Sequence, residues 1–144
     1  MSLGSRLLRL AYRLPPPIHR AKATRNLRVA MPDGITLATD VFHPMRDGRY
    51  PTLLLRLPYG RRGFDTVGEV FAERGYNTVV QACRGTGGSD GDFDPLTDER
   101  QDGLATIAWI VRQPWYDGRL GTTGPSYLGY AQWAICDAPE ITAM

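Results

Sequence analysis

The residues best equipped for chemistry form the run Leu120-Gly121-Thr122-Thr123-Gly124-Pro125-Ser126-Tyr127-Leu128-Gly129-Tyr130. A short apolar stretch meets a serine between glycines and continues as an Ala/Trp/Ile-rich segment, which predicts strand, sharp turn and helix. A serine in such a turn is forced into a tight backbone conformation that lifts its hydroxyl clear of the sheet. The residues around it must be small, a demand that Gly124 and Gly129 meet. Ser126 is therefore the candidate nucleophile. The five-residue elbow pattern would place its second glycine at position 128, where leucine stands; here the glycine comes one place later, giving G-x-S-Y-x-G. The pattern alone leaves a second reading open, in which Ser126 caps the N-terminus of a buried helix, a position serine favours.

A serine nucleophile needs a base to take its proton. The two histidines are His19, in a proline-rich stretch, and His43, at the end of an expected strand; both lie far upstream of Ser126. In a sheet of this element order the triad runs serine, acid, histidine along the chain, and no histidine follows Ser126. Asp137 and Glu140 are the acids that do, at the end of the helix that the serine begins, directed away from its hydroxyl. Either Ser126 is not catalytic, or these residues are the N-terminal portion of a longer hydrolase. Arg84 invites reading as an anion clamp and Asp102 as a triad acid. Structural roles are expected for both: Arg84 tying down loop carbonyls or carboxylates, and Asp102 meeting the dipole of a helix's first turn.

Other chemistries fit less well. Arg84-Gly85-Thr86-Gly87-Gly88-Ser89-Asp90-Gly91 follows an expected strand, as a dinucleotide-binding loop would, but its third fingerprint position is Asp90, whose carboxylate would meet the pyrophosphate. It reads as a conformational loop, and no cofactor is expected. Cys83 and Cys136 sit in apolar segments without metal-ligand spacing, so they read as buried thiols in a reducing compartment, with no metal. The net charge of +2 with scattered arginines shows no basic stripe, so no nucleic acid partner is expected. No run of 18 apolar residues is present, and the chain reads as cytoplasmic without a membrane partner; its oligomeric state stays open.

The elements that must carry Ser126 follow from periodicity. In 144 residues, 42% of them apolar, there is material for one ordinary domain with a core. Leu3, Leu7, Leu10, Ala11 and Leu14 recur at helical spacing between arginines, a leader helix expected to pack on its own domain, and Pro15-Pro16-Pro17 ends it in a linker. From Thr24 the period becomes two: Leu27, Val29 and Met31 alternate out, Pro32-Asp33-Gly34 turns, and Ile35, Leu37, Thr39 and Val41 alternate back as a hairpin. Thr52-Leu53-Leu54-Leu55-Arg56 and Asn77-Thr78-Val79-Val80-Gln81-Ala82 read as strands buried on both faces. Residues 63–74 and 98–113 read as helices, the first stopped at Gly75 and the second at Pro114. Trp109, Trp115 and Trp133 read as core aromatics, and Tyr127 as a residue able to shape a pocket. Hairpin, then strand, helix, strand, helix, strand, helix predicts an α/β doubly wound sheet.

Several segments in order resemble one family. They are Met31-Pro32-Asp33-Gly34-Ile35-Thr36-Leu37-Ala38, Leu55-Arg56-Leu57-Pro58-Tyr59-Gly60, the Arg84–Gly91 loop, Trp109-Ile110-Val111-Arg112-Gln113-Pro114-Trp115, and Gly118-Arg119-Leu120-Gly121 leading into Gly124-Pro125-Ser126-Tyr127-Leu128-Gly129. Across residues 24–144 the chain is similar to the cocaine esterase and X-prolyl dipeptidyl-peptidase-like serine hydrolases, the CocE/NonD family of α/β-hydrolases, which share the shifted glycine. The resemblance implies a catalytic Ser126, an oxyanion hole made by the Tyr59 hydroxyl and the backbone N–H of Tyr127, and an acid and histidine from later in the chain. It implies a small-molecule ester, amide or peptide substrate. The expected organisation is a leader over residues 1–23 and the N-terminal part of an α/β-hydrolase domain over 24–144, ending after the elbow helix. The alternative is a non-catalytic α/β fragment or interaction module.

Overall fold

A computed structural model describes residues 2–144. The hairpin is β1 (Ala21–Ala30) and β2 (Thr36–Pro44), antiparallel about the Asp33-Gly34 turn, with Val29↔Leu37 in register. Its alternating residues Val29, Met31 and Leu37 form a small buried cluster, as period two requires. The register of β1 breaks between Thr24 and Leu27, and Asn26 takes a positive φ of 56°. The carboxylate of buried Asp40 on β2 fills this bulge, accepting the Asn26 N–H at 2.8 Å and pairing with Arg25 at 3.2 Å.

The parallel part comprises β3 (Tyr50–Leu57), β4 (Asn77–Ala82) and β5 (Tyr116–Thr122). Its crossovers are α2 (Asp65–Ala72), entered through a short 3-10 turn over Arg61–Phe64, and α3 (Glu99–Ile110). The sheet order β1-β2-β4-β3-β5 places β4 beside the hairpin and β3 between β4 and β5. Adjacent residues of the apolar runs serve opposite faces. Leu54 and Val79 pack with Ile107 and Ile110 of α3, whereas Leu55 and Val80 pack with Phe42 and with Ala72 of α2. That two-sided burial explains the near-continuous hydrophobicity of these strands. The winding reverses at β3, so the C-terminal ends of β3 and β5 are neighbours. Open α/β sheets place ligands at such a reversal.

Four features differ from the expectations. The chain does not end with the elbow helix α4 (Tyr127–Trp133): a strand β6 (Ile141–Ala143) pairs parallel with β5, Leu120 opposite Ile141. A three-residue strand is too short to show periodicity. The leader helix α1 (Leu3–Ala11) packs on its own domain as expected, but by its small polar face and not its leucines: Ser5 is fully buried against Glu73 and Ser2 bonds Glu69, while Leu3, Leu7 and Leu10 face outward. Cys83 is buried as expected, but Cys136 is exposed. Trp109 and Trp115 pack edge to face at 6.0 Å against the core, but Trp133 is exposed, on the outer side of α4.

Candidate active site

Ser126 sits between β5 and α4 with φ 60° and ψ −129°. Non-glycine residues in such regions cost on the order of 1–3 kcal/mol and persist only where the surroundings enforce them. Three neighbours do so here. Gly124, at φ +130°, passes so close to α4 that a Cβ would lie 2.5 Å from the Leu128 side chain. Gln132 donates to the carbonyls of Gly124 at 2.8 Å and Leu128 at 3.1 Å, and accepts from the Thr122 hydroxyl at 2.9 Å, stapling the turn to both flanking elements. The demand for a small residue does not extend to Gly129, where a Cβ would make ordinary contact, 3.6 Å from the Gly124 carbonyl. Although Ser126 occupies the N-cap position, its side chain makes no capping bond. Its Oγ lies 3.3 Å from the Tyr59 hydroxyl, so the geometry speaks against the capping role.

Tyr59 follows β3 on a loop held by Arg61. The Arg61 guanidinium lies 3.3 Å from Asp40, donates to Asn26 Oδ1 at 2.7 Å and also donates to the Gly87 carbonyl. The β-bulge, the Tyr59 loop and the glycine-rich loop are thus joined through one side chain. Tyr59, Gly60, Arg61 and Gly87 border a groove of about 340 Å³. Arg61 and Asp40 were not legible as site residues because their meeting depends on the bulge.

Tyr127 begins α4, so its backbone N–H has no acceptor within the helix. Its side chain turns inward. The hydroxyl donates to Glu99 Oε1 at 2.9 Å and accepts from the Leu96 N–H at 3.1 Å, while the ring meets Phe93 at 5.9 Å. Burial pushes its phenol above the ordinary value of 10, and the Glu99 bond adds to this, so it is a neutral donor. Glu99 in turn faces Arg56, a buried arginine within the apolar run of β3. Arg56 Nη1 is 2.7 Å from Glu99 Oε2, and Nε donates to Gln81 at 2.9 Å. A charged residue amid leucines was the signal that could have exposed this cluster. Arg84 makes a two-pronged pair with Asp102, at 2.7 and 3.2 Å, and also reaches Asp33 and Asp98. Both residues hold the glycine-rich loop to α3, and Asp102 is buried and occupied.

Neither histidine approaches Ser126. Phe42 pairs with Thr78, so the adjacent His43 lies at the N-terminal end of β4; its Nδ1 is 3.0 Å from Asn77 Oδ1 and its ring meets Trp115 edge to face. The Asn77 amide already donates to the Tyr50 and Trp115 carbonyls, so its oxygen accepts and His43 Nδ1 donates. Burial holds His43 below its ordinary value of 6.5. His19 packs against Tyr50, the first residue of β3, at the same edge. Among the described residues no metal-binding cluster forms and no helix is long and apolar enough to cross a membrane.

A mixed sheet with crossovers on both faces and a strained serine turn after its fifth strand is the N-terminal architecture of an α/β-hydrolase. Residues 33–144 match the X-Pro dipeptidyl-peptidase (S15) family, and the chain belongs to that family. It is 41% identical over 116 residues to cocaine esterase of Rhodococcus sp. (strain MB1 Bresler), covering 75% of this chain and 20% of that protein. Among solved structures it is similar to a CocE/NonD family hydrolase from Staphylococcus aureus, with TM-score 0.76 and 25% identity over 85% of this chain and 26% of that one. An α-amino acid ester hydrolase shares the fold, with TM-score 0.72 and 24% identity over 84% of this chain and 24% of that one. The chain therefore spans about a fifth to a quarter of the length of these relatives. The family is one of hydrolases, esterase and peptidase names both occurring in it.

Proposed function

We propose that Ser126 is the nucleophile of a serine hydrolase that cleaves ester or amide bonds of the amino-acid ester or X-prolyl peptide type. Ser126 Oγ attacks the substrate carbonyl while its proton passes to a histidine. The resulting oxyanion accepts hydrogen bonds from the Tyr59 hydroxyl and the Tyr127 backbone N–H. The alcohol or amine leaves with a proton returned by the histidine, and water then releases the acyl group from Ser126 by the same steps in reverse. Each oxyanion donor is worth about 3 kcal/mol in measured hydrolases, because it bonds most strongly to charge that appears only in the transition state. The observation that carries this reading is a non-glycine φ of 60° at Ser126 combined with the 3.3 Å approach of Oγ to the Tyr59 hydroxyl. On this reading residues 24–144 contribute the nucleophile and oxyanion hole to one hydrolase domain, with residues 1–23 as its leader, and the acid and histidine come from outside these 144 residues.

The placement of both histidines at the opposite edge favours a second reading for these residues alone: an α/β unit without a proton acceptor and without turnover. Labelling with a fluorophosphonate tests the two together. The whole hydrolase should label at Ser126 and lose labelling in Ser126→Ala, and residues 1–144 by themselves should label far more slowly. Undiminished labelling of Ser126→Ala would remove the nucleophile assignment.

A further inference from the structure

We propose that Glu99 is a positioning residue for the oxyanion hole, holding the Tyr127 hydroxyl on one carboxylate oxygen and the Arg56 guanidinium on the other. The inference rests on the nucleophile reading above and names how its two donors are kept in register. Those donors belong to different segments. Tyr59 rides three residues beyond Arg56 on the continuation of β3, and the Tyr127 N–H opens α4. Covalently they are 68 residues apart, yet both must meet one oxygen atom to within a few tenths of an ångström.

Glu99 bridges them inside the protein. Its Oε1 accepts from the Tyr127 hydroxyl at 2.9 Å, and its Oε2 forms an ion pair with Arg56 Nη1 at 2.7 Å, while the Nη1 hydrogen bond goes to the Glu99 backbone carbonyl at 2.7 Å. Arg56 and Glu99 are 3% and 5% exposed, so water does not loosen the pair. Arg56 is fixed from its other side by Gln81 at 2.9 Å, and Gln81 accepts from the Thr106 hydroxyl at 2.8 Å and donates to Thr39 at 3.2 Å. The chain of contacts therefore runs from β2 through β4 and β3 to α3, and ends on the side chain next to Ser126. Tyr127 receives a second anchor from the Leu96 N–H at 3.1 Å, which fixes its phenol from two directions. A carboxylate that merely neutralised Arg56 would not need the tyrosine.

The test uses the whole hydrolase and the concentration dependence of fluorophosphonate labelling, which separates reversible binding (KI) from bond formation at serine (kinact). Tyr127→Phe leaves the Arg56–Glu99 pair whole and removes only the hydroxyl. Its kinact should fall about tenfold with KI within about twofold of the parent, since a small misplacement of a donor acts on the transition state. Glu99→Gln should give a loss of the same kind. The double variant Tyr59→Phe/Tyr127→Phe should lose less than the product of the single losses, because aligning one donor matters less when the other is gone. Parental kinact in Tyr127→Phe would overturn the proposal, even if Glu99→Gln failed to fold, and so would parallel losses in kinact and KI or simple multiplication in the double variant. Labelling that persists in Ser126→Ala would instead overturn the nucleophile reading.

Discussion

At the N-terminal edge of the parallel strands His43, Asn77, Tyr50 and Trp115 border a cavity of about 320 Å³, while at the C-terminal edge Tyr59, Gly60 and Arg61 border a groove of about 340 Å³. Volume does not separate the two, and the N-terminal edge holds both histidines. What separates them is how the polar groups are engaged. Around His43 they satisfy one another: its Nδ1 donates to Asn77, whose amide donates to two backbone carbonyls. At the other edge Ser126 and Tyr59 stand exposed and face each other, and Ser126 is kept at a positive φ by Gly124, Leu128 and Gln132. Buried charge lies beneath that edge, with Asp40 gripping Arg61 behind Tyr59 and Glu99 gripping Arg56 behind Tyr127. A network that satisfies its own members gains stability, whereas two solvent-facing hydroxyls, one of them on a residue of strained backbone, are left uncommitted to the fold.

The sharpest way to break this comparison is to disable each edge in the whole hydrolase. Ser126→Ala should reduce ester turnover by at least about 1,000-fold, and His43→Asn should leave it within about twofold, as read by steady-state kinetics on an activated ester. A large loss in His43→Asn would erase the functional distinction between the edges. If Tyr59 serves the oxyanion hole as proposed, Tyr59→Phe should slow acylation by about 100-fold with little change in substrate affinity, since the lost hydrogen bond would strengthen as the oxyanion forms. Stopped-flow measurement of the acylation burst decides it, and an effect confined to affinity would reassign Tyr59 to substrate binding.

Gly124→Ala adds a methyl group both at φ +130° and 2.5 Å from Leu128. It should cost about 2–4 kcal/mol of stability by urea unfolding, from backbone strain and overpacking together. Gly129→Ala, whose new methyl group meets only ordinary contacts, should cost far less. The smallest effect belongs to the N-terminal edge. Because burial lowers the pKa of His43 in the folded state, the unfolded chain takes up that proton first as the pH falls. Its contribution is present above pH 6.5 and is lost as the pH drops through that value towards the folded-state one. His43→Asn should therefore lose less stability than the parent between pH 7.5 and 5.5, and equal losses would show that the imidazole is not buried as described.

Local order in the chain was enough to find the hairpin about Asp33-Gly34, the two-faced strands containing Leu54 and Val79, the helix through Ile107 and Ile110, and the turn at Ser126. Each rests on periodicities of two or 3.6 and on turn residues that act within a few positions. The G-x-S-Y-x-G spacing and the Leu-Pro-Tyr-Gly segment also sufficed to connect Ser126 with Tyr59 through family resemblance. The 3.3 Å meeting of their hydroxyls depended on β3 and β5 lying side by side, a sheet order that no local pattern states. The outward face of α1 was likewise a tertiary outcome: its leucine spacing predicts burial, but Ser2 and Ser5 find Glu69 and Glu73 on α2, and the polar side docks. Arg56 and Glu99 are 43 residues apart and their pairing is invisible in sequence, because only the closed core removes the water that would otherwise solvate each alone.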